Sequence, residues 1–324
     1  MENTLDVRGL RTQFSTREGT LPAVEDVSFT LAPGEILGLV GESGSGKSVT
    51  GYSIMGLIDP PGKIVSGEIV FKGRNLVNQS DAQMRPLRGN RIAMIFQDPM
   101  MTLNPVLRID TQMVETVLAH VKVSKKEALR RACEALAAVG IPSPAERLKT
   151  YPNQLSGGMR QRVAIAIALL HHPELIIADE PTTALDVTIQ AQILAEVQKL
   201  VRETGTALIW ITHDLSVVAG LADRIAVMYA GRIVEQGLVA DVLANPAHPY
   251  TRGLIESLPS KNKRGARLKQ IPGMTPSVIN LPPGCAFQSR CASVQADCAP
   301  PPQMRPITST HDVRCFHPFA RVPS

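Results

Sequence analysis

The sequence has no long apolar run and few aromatic residues. Its longest apolar stretch, Val163 to Leu170, covers eight of 324 residues, whereas a membrane-spanning helix needs about 18. The N-terminus, Met-Glu-Asn-Thr-Leu-Asp, has neither the basic nor the apolar segment of a signal peptide. Internal repeats and low-complexity segments are also absent. We therefore expect a cytoplasmic protein that reaches a membrane through partner subunits.

The composition is that of a globular protein with an uneven charge distribution. The chain is long enough for about two domains, and it is 44% apolar and 19% charged. Its net charge is +5, but residues 259–324 alone contain nine Lys or Arg and only two acidic residues. These basic residues are scattered among prolines, and aromatics are few. The pattern favours contact with a membrane surface or a partner subunit over nucleic acid.

A phosphate-binding loop is the most informative motif. Residues 41–48 read Gly-Glu-Ser-Gly-Ser-Gly-Lys-Ser, between an apolar strand-like run and a helix-compatible stretch. Glycines let successive backbone N–H groups turn inward around an anion. Lys47 is expected to reach the β- and γ-phosphates, and Ser48 to bind Mg²⁺. The residues expected to line the phosphates are Gly41, Glu42, Ser43, Gly44, Ser45, Gly46, Lys47 and Ser48.

Alternating helices and strands predict an α/β fold. Helical periodicity dominates residues 106–149, and Lys125 to Val139 is predicted as one amphipathic helix. Apolar strands are predicted at Leu175–Ala178, Ala207–Thr212 and Ile225–Tyr229, the last followed by a hairpin turn. Beyond Leu258 the chain contains 11 of its 25 prolines and is expected to be rich in loops. The pattern indicates a mostly parallel sheet, a helical insertion and a separate C-terminal module.

Two further segments contain residues suited to ATP hydrolysis. The strand predicted from Leu175 ends in Asp179, which can hold Mg²⁺, and Glu180, which can deprotonate the attacking water. Upstream, Leu-Ser-Gly-Gly-Met-Arg-Gln-Arg begins a second glycine-rich helix, with Ser156 as its N-cap. The chain thus has two helix N-termini able to face phosphate.

With Gln97, His213 and the Ala184-Leu185-Asp186 turn, these motifs resemble the nucleotide-binding subunit of ATP-binding-cassette (ABC) transporters. The resemblance covers residues 4 to about 257. It implies a P-loop NTPase fold, with a RecA-like core, an antiparallel β subdomain and an α-helical subdomain at about 98–160. It also implies that ATP and Mg²⁺ are bound.

The resemblance assigns roles to individual residues. It implies that Phe14 stacks on the adenine, that Gln97 senses the γ-phosphate and Mg²⁺, and that His213 contacts the γ-phosphate. Asp186 would line an interface between two cassettes facing head to tail. In that arrangement Ser156, Gly157 and Gly158 cap the ATP held by the other cassette. Met159 stands where the commonest family signature has Gln, a departure that the peptide-importing branch accepts.

The C-terminal part of the sequence indicates which branch of the ABC transporter family the chain resembles. His248-Pro249-Tyr250-Thr251, Leu281-Pro282-Pro283-Gly284-Cys285 and Arg290-Cys291 resemble the extension of dipeptide and oligopeptide importer ATPases. We expect a nucleotide-binding domain at 1–257 and this extension at 258–324.

That branch implies ATP-driven peptide import at the cytoplasmic face of the membrane. The implied partners are a second, distinct ABC ATP-binding subunit, two transmembrane permease subunits and an extracytoplasmic peptide-binding protein, with no nucleic acid. The alternatives are a same-branch importer of nickel or glutathione and a soluble ABC ATPase.

Four of the five cysteines fall in the extension, at Cys285, Cys291, Cys298 and Cys315. The fifth, Cys133, is expected to be a buried thiol on a helix. A cytosolic location argues against disulfides, so a metal is the expected staple. The spacings are wider than those of a typical zinc ribbon and suit an iron–sulfur cluster, which the family resemblance specifies as [4Fe–4S]. Zn²⁺ and metal-free thiols are the alternatives.

Overall fold

A computed structural model describes residues 2–182, 187–262, 265, 268–276 and 278–319. Its strands are β1 (Leu5–Thr16), β2 (Gly19–Leu31), β3 (Ile36–Val40), β4 (Gly62–Phe71), β5 (Arg74–Asn75), β6 (Ile92–Ile95), β7 (Leu175–Asp179), β8 (Ala207–Thr212), β9 (Arg224–Tyr229), β10 (Arg232–Leu238), β11 (Arg305–Thr308) and β12 (His311–Val313).

The helices alternate with these strands, as expected for an α/β fold. They are α1 (Lys47–Met55), α2 (Asp81–Met84), α3 (Ile109–His120), α4 (Lys125–Ala138), α5 (Pro144–Arg147), α6 (Gly157–Leu169), α7 (Val187–Thr204), α8 (Leu215–Leu221), α9 (Val239–Ala244) and α10 (Pro249–Glu256). Over the residues with described structure, no helix is both long and apolar enough to cross a membrane.

The chain divides into two compact units. The first unit comprises Met1–Leu5, Leu31–Ile36 and Asn78–Ile211. The second unit comprises Asp6–Thr30, Leu37–Val77 and Thr212–Ser324.

The first unit contains a parallel β6-β7-β8 ladder and the helices α2 to α7. Strand β7 is buried along its whole length, as expected for a strand covered on both faces. Helix α4 confirms the predicted amphipathic helix, and Ser124 caps it by accepting a hydrogen bond from the backbone N–H of Glu127 at 3.2 Å. Because β7 runs parallel to its neighbours, Asp179 at its carboxyl end lies at the edge where such folds place their chemistry.

The second unit contains the phosphate-binding loop and the proline-rich C-terminal part. Strand β3 pairs in parallel with β9, and β10 returns antiparallel beside β9. The predicted hairpin after Tyr229 is therefore confirmed. Beyond it, β12 pairs antiparallel with β10, and β11 with β12. The C-terminal segment thus extends the sheet that carries the loop.

The N-terminal strands are longer than the sequence predicts. Its pattern over residues 4–40 favours short strands and turns, but β1 and β2 have 12 and 13 residues. They belong to a separate sheet of order β2-β1-β4-β5. Alternating burial along β1 shows that one face of this sheet packs inward. Local turn residues do not interrupt the strands because cross-strand pairing sets their length.

Candidate functional site

The phosphate-binding loop has the predicted strand–loop–helix structure. It leaves β3 after Val40, and α1 begins at Lys47 with Gly46 as its N-cap. A Cβ on Gly41 would lie 2.2 Å from the carbonyl oxygen of Met228, and one on Gly46 would lie 2.4 Å from that of Ala23. Gly46 also has a φ of +99°. Both positions therefore require glycine for steric reasons.

The side chain of Lys47 is buried within the loop. Its ammonium donates hydrogen bonds to the carbonyl oxygens of Gly41 at 2.8 Å and Glu42 at 2.9 Å. Ser48, the next residue of α1, is half-buried, while Ser43 and Gly44 are exposed at the tip of the loop. The loop therefore presents an exposed tip above a buried cation, as an anion site requires.

Glu42 is tied to the C-terminal part of the second unit. Its carboxylate accepts hydrogen bonds from the Arg290 guanidinium at 2.7 and 3.1 Å and from the Thr275 hydroxyl at 2.6 Å. Its backbone N–H donates to the Tyr250 hydroxyl at 2.9 Å. Partial burial acts to raise the pKa of Glu42, but the bonds from Arg290 and Thr275 and the charges of Arg290 and Lys47 outweigh it and hold the pKa below its usual value.

Sequence reasoning missed these contacts of Glu42. Arg290 and Tyr250 stand out in the sequence only as parts of C-terminal motifs, and nothing in the local sequence connects them to the loop. They lie 248 and 208 positions from Glu42. Only the sign of the charges, an acid in the loop and a basic C-terminal region, hinted at such a pair.

Two other sequence-derived residues lie in the second unit. Phe14 is half-buried on β1, and its ring lies against Gly62, where a Cβ would come within 2.5 Å of Phe14 Cε1. His213 is exposed directly after β8. The following residue, Asp214, caps α8 by accepting a hydrogen bond from the Ser216 N–H at 2.8 Å.

In the first unit, the structure brings Gln97 and Glu180 together. The Gln97 amide donates to the Glu180 carboxylate at 3.4 Å. Glu180 follows Asp179, which is 2% exposed at the end of β7. Glu180 itself has a φ of +45°, an uncommon conformation for a residue other than glycine.

The second glycine-rich helix start is also in the first unit. Ser156 is the N-cap of α6 and accepts a hydrogen bond from the backbone N–H of Met159 at 3.3 Å. Ser156 and Gly157 are exposed, and Gly158 is half-buried. This helix therefore presents an accessible N-terminus to solvent. Asp186, assigned to the same kind of interface, lies outside the described residues.

The four C-terminal cysteines line one small cavity of about 10 Å³, within the second unit. All five cysteines of the chain are described, and none forms a disulfide. Burial raises the pKa of Cys285 and of Cys291. It raises that of Cys315 to about 11, with a further contribution from the other three thiols. Uncharged thiols are therefore favoured here until a cation replaces their protons.

A buried histidine also lines this cavity. His248 is 1% exposed, and its Nδ1 accepts a hydrogen bond from the Tyr250 N–H at 3.0 Å. The neutral ring therefore carries its proton on Nε2, and this buried atom has no hydrogen-bond partner among the residues the structure describes. Burial lowers the pKa of His248 to about 4.

The closest grouping of metal-binding side chains is at the edge of the same cavity. Among the described residues, the donor atoms of Asp297, Cys298 and His317 lie within 4.8 Å of one another. In the cysteine cavity, no three of the four sulfur atoms lie within 4.8 Å of one another. Thiolates around one tetrahedral zinc ion, with Zn–S bonds of about 2.3 Å, would be about 3.8 Å apart.

Comparison with known proteins matches two regions of the chain. Residues 24–183 match the family described as "ABC transporter", and residues 234–298 match "Oligopeptide/dipeptide transporter, C-terminal region". The dipeptide transport ATP-binding protein DppD of Bacillus subtilis is 50% identical over 318 residues, covering 98% of this chain and 95% of DppD. The oligopeptide transport ATP-binding protein OppD of Salmonella typhimurium is 48% identical over 314 residues, covering 97% of this chain and 93% of OppD.

Solved structures resemble the chain as well. The ATP-binding cassette MJ0796, dimeric in a post-hydrolysis state bound to ADP and Pi, superposes with a TM-score of 0.67 at 29% identity, covering 72% of this chain and 98% of MJ0796. CbiO1 from Clostridium perfringens, part of the ABC transporter complex cbiONQ, gives a TM-score of 0.63 at 28% identity, covering 75% of this chain and 92% of CbiO1.

Proposed function

The chain belongs to the family of ABC transporter ATP-binding proteins, and on that premise we propose that it is the ATP-hydrolysing subunit of a dipeptide or oligopeptide importer. The observation that carries this proposal is the presence of two matched regions in one chain, an ABC transporter domain and the oligopeptide/dipeptide C-terminal region. The extent of the similarity to DppD and OppD supports it, since both align over nearly the whole chain.

We propose a role for each residue of an ATP site. In our proposal the loop from Gly41 to Ser48 holds the phosphates, and Ser48, Gln97 and Asp179 hold Mg²⁺. Glu180 takes the proton of the attacking water. The Gln97 amide, which donates a hydrogen bond to the Glu180 carboxylate, orients it for this step. His213 contacts the γ-phosphate, and Phe14 packs against the adenine. The ammonium of Lys47 then stabilises charge that develops on the transferred phosphoryl group.

A second cassette completes the site. We propose that Ser156, Gly157 and Gly158 of one cassette cap the ATP held by the other, with Asp186 at the interface. The exposed N-terminus of α6 supports this proposal, because its N–H groups are available to an anion outside the chain. The dimeric state of MJ0796 supports it too. The second cassette would be a distinct homologue.

The transporter needs permease partners in the membrane. We propose two transmembrane subunits, an extracytoplasmic peptide-binding protein and a peripheral position at the cytoplasmic face. The division of the chain into a nucleotide-binding domain at 1–257 and an extension at 258–324 is part of the same proposal.

The cysteine cavity fits a thiolate-bound metal centre. All four thiols line it, and the orphaned Nε2–H of His248 is a buried donor suited to a thiolate or an inorganic sulfide. The small volume does not exclude a metal, because metal–sulfur bonds are much shorter than van der Waals contacts. The sulfur spacing is wide for a single zinc ion, so we propose that Cys285, Cys291, Cys298 and Cys315 hold a [4Fe–4S] cluster with a structural role.

Zinc is the second candidate for this region, and a specific observation favours it. The donor atoms of Asp297, Cys298 and His317 already lie close together. Protein purified without oxygen separates the two candidates. A cluster predicts brown protein with about four irons per chain, lost in Cys291→Ser but kept in Cys133→Ser. Colourless protein with one zinc, lost in His317→Ala, would replace the cluster by the zinc site.

The transport function is tested on the intact complex. We expect the chain to purify with two membrane subunits and its ATPase rate to rise when the binding protein is loaded with a dipeptide or an oligopeptide. Stimulation by nickel or glutathione alone would assign another substrate of the same branch. Co-purification with nucleic acid and no membrane subunit would instead identify a soluble ABC ATPase.

A further inference from the structure

The side chain of Glu42, in the phosphate-binding loop, is held by an arginine of the cysteine-rich segment, residues 285–315. Arg290 is 7% exposed and forms a two-pronged ion pair with the Glu42 carboxylate. Its Nε also donates to the Pro272 carbonyl oxygen at 2.9 Å. Such bidentate pairs fix orientation as well as distance. The position of Glu42 is therefore set by where Arg290 is held.

The backbone of Glu42 is held by α10, which packs against the cysteine-rich segment through Phe287. Its N–H donates to Tyr250, whose ring lies 4.6 Å from that of Tyr229 and 5.5 Å from that of Phe287. Phe287 also lines the cysteine cavity. An aromatic cluster of Tyr229, Tyr250 and Phe287 thus connects the cavity wall to the loop, through ring packing and the hydrogen bond at Tyr250.

Arg290 is adjacent in sequence to a cavity cysteine. It ends the short helical turn Gln288–Arg290, and Cys291 follows. A second arginine repeats this arrangement, because Arg314 precedes Cys315 and pairs with Asp26 of β2 at 3.0 Å. A shift of the backbone at Cys291 or Cys315 is therefore passed directly to the arginine that precedes it.

The restraint on Glu42 reaches the phosphate-binding ammonium. The Glu42 carbonyl oxygen accepts hydrogen bonds from Lys47 Nζ at 2.9 Å and from the Ser45 N–H at 3.2 Å. A displaced Glu42 would therefore shift both a loop N–H and the ammonium. Groups that bind a phosphate lose affinity when their geometry is not preset.

We propose that Arg290 is a positioning residue for the phosphate-binding loop, and that the cysteine-rich segment sets ATP affinity through the pair of Arg290 with Glu42. The inference rests on the proposed ATP site at Lys47. The arrangement of the cavity thiols is thereby coupled to nucleotide binding within one chain, although none of the four cysteines belongs to the loop itself.

The first test compares arginine–glutamate pairs in the full chain. The variants are Arg290→Gln, Arg290→Lys and Glu42→Gln, with Arg252→Gln as the control, since Arg252 pairs with Glu256 on the surface of α10. The measurements are the Kd for MgATP by fluorescence titration and the melting temperature. We expect Arg290→Gln to raise the Kd about tenfold. Arg290→Lys should give a smaller rise, because one ammonium cannot form the two-pronged pair.

The double variant Glu42→Gln/Arg290→Gln should have a Kd for MgATP no higher than that of the weaker-binding single variant. The reason is that the two substitutions remove the same interaction. A lower melting temperature with unchanged Kd in Arg290→Gln, or an equal Kd rise in Arg252→Gln, would overturn the proposal. If Arg290→Gln does not fold, two variants still test the same contact. Glu42→Gln alters the other partner of the pair, and Arg290→Lys is the conservative change at Arg290. Failure of the unaltered chain to bind MgATP would instead refute the ATP site itself.

The second test concerns the thiols. Cys291→Ser should raise the Kd for MgATP, whereas Cys133→Ser, on α4 of the first unit, should not. In an Arg290→Gln background, Cys291→Ser should add less than about twofold, because the pathway is already broken. Equal effects of Cys291→Ser in both backgrounds would show that the thiols do not act through Arg290.

Discussion

At the scale of single residues, close contacts in the phosphate-binding loop exclude other side chains at several positions. Gly41 and Gly46 each face a carbonyl oxygen where a Cβ would stand, and Lys47 is 5% exposed. A buried ammonium is costly unless hydrogen-bonded, and the carbonyl oxygens of Gly41 and Glu42 meet that need. These two bonds fix the ammonium at the position where we propose that it meets a phosphate.

Removing that ammonium should weaken nucleotide binding. We expect Lys47→Ala to weaken MgATP binding by about tenfold or more, since a charge-assisted contact to phosphate is worth about 1.5–3 kcal/mol. Titration of the full chain measures this, with Lys63→Ala as the control because Lys63 is exposed on β4. Unchanged affinity in Lys47→Ala would remove Lys47 from the phosphate site.

Glu180 should affect hydrolysis and not binding. Replacement by Gln keeps the shape and removes the base, so the ATPase rate of the assembled complex should fall by about 10²–10⁴-fold while MgATP still binds. Glu174→Gln is the matched control, because Glu174 precedes the opposite end of β7 and pairs with Arg91. Full turnover in Glu180→Gln would show that another group activates the water.

At the scale of elements, two helices begin in the same way but are proposed to serve different ends. Ser124 caps α4 and Ser156 caps α6, each accepting a hydrogen bond from the third helical N–H. Replacing either cap by Ala costs about 1 kcal/mol of helix stability. The structural contribution of the two serines is therefore alike.

This pair separates capping from nucleotide contact. We expect Ser124→Ala and Ser156→Ala to lower the melting temperature similarly, but only Ser156→Ala to reduce the ATPase rate of the assembled complex. The physical reason is that the N-terminus of α6 is proposed to face the ATP of the second cassette. Equal ATPase rates in the two variants would contradict that role.

At the scale of the whole molecule, buried polar groups fasten the C-terminal segment onto the sheet. Glu235 of β10 is fully buried and accepts hydrogen bonds from the backbone N–H groups of Ala247 and His248 and from the His311 ring. His311 begins β12, which pairs with β10. A buried carboxylate with three donors is satisfied, so it specifies this arrangement over others.

Acid should weaken this arrangement through His248. Its pKa is lowered to about 4 in the folded protein by burial, against about 6.5 when unfolded. Between those values the unfolded chain binds the proton and the folded chain does not, so stability falls as pH drops from about 6.5 to 4 and changes no further below that. The loss is at most about 3 kcal/mol.

Melting temperatures measured between pH 7 and pH 4.5 check this expectation. His248→Gln keeps an acceptor for the Tyr250 N–H and should flatten the pH dependence. His172→Gln, at an exposed position, should leave it unchanged. Identical pH profiles for the unaltered chain and His248→Gln would show that the pKa of His248 is the same in the folded and the unfolded chain.

Some elements were predictable because their signals are local. The loop from Gly41 to Ser48, the helix from Lys125 and the strand ending at Asp179 each follow from a short pattern of glycines, apolar spacing or caps. Strand length in β1 and β2 was not, since partners in the sheet decide it. The contact between Gln97 and Glu180 was not either, because it joins residues 83 positions apart.

The sequence by itself determined the family, and it predicted the residues of the proposed ATP site and the group of cysteines, because motifs of a few residues encode them. Only the tertiary structure decided that Arg290 and Tyr250 hold Glu42, that His248 lies buried at the cysteine cavity, and that β12 joins β10. These contacts join distant parts of the chain, and their geometry depends on how whole elements pack, which no local pattern of residues specifies.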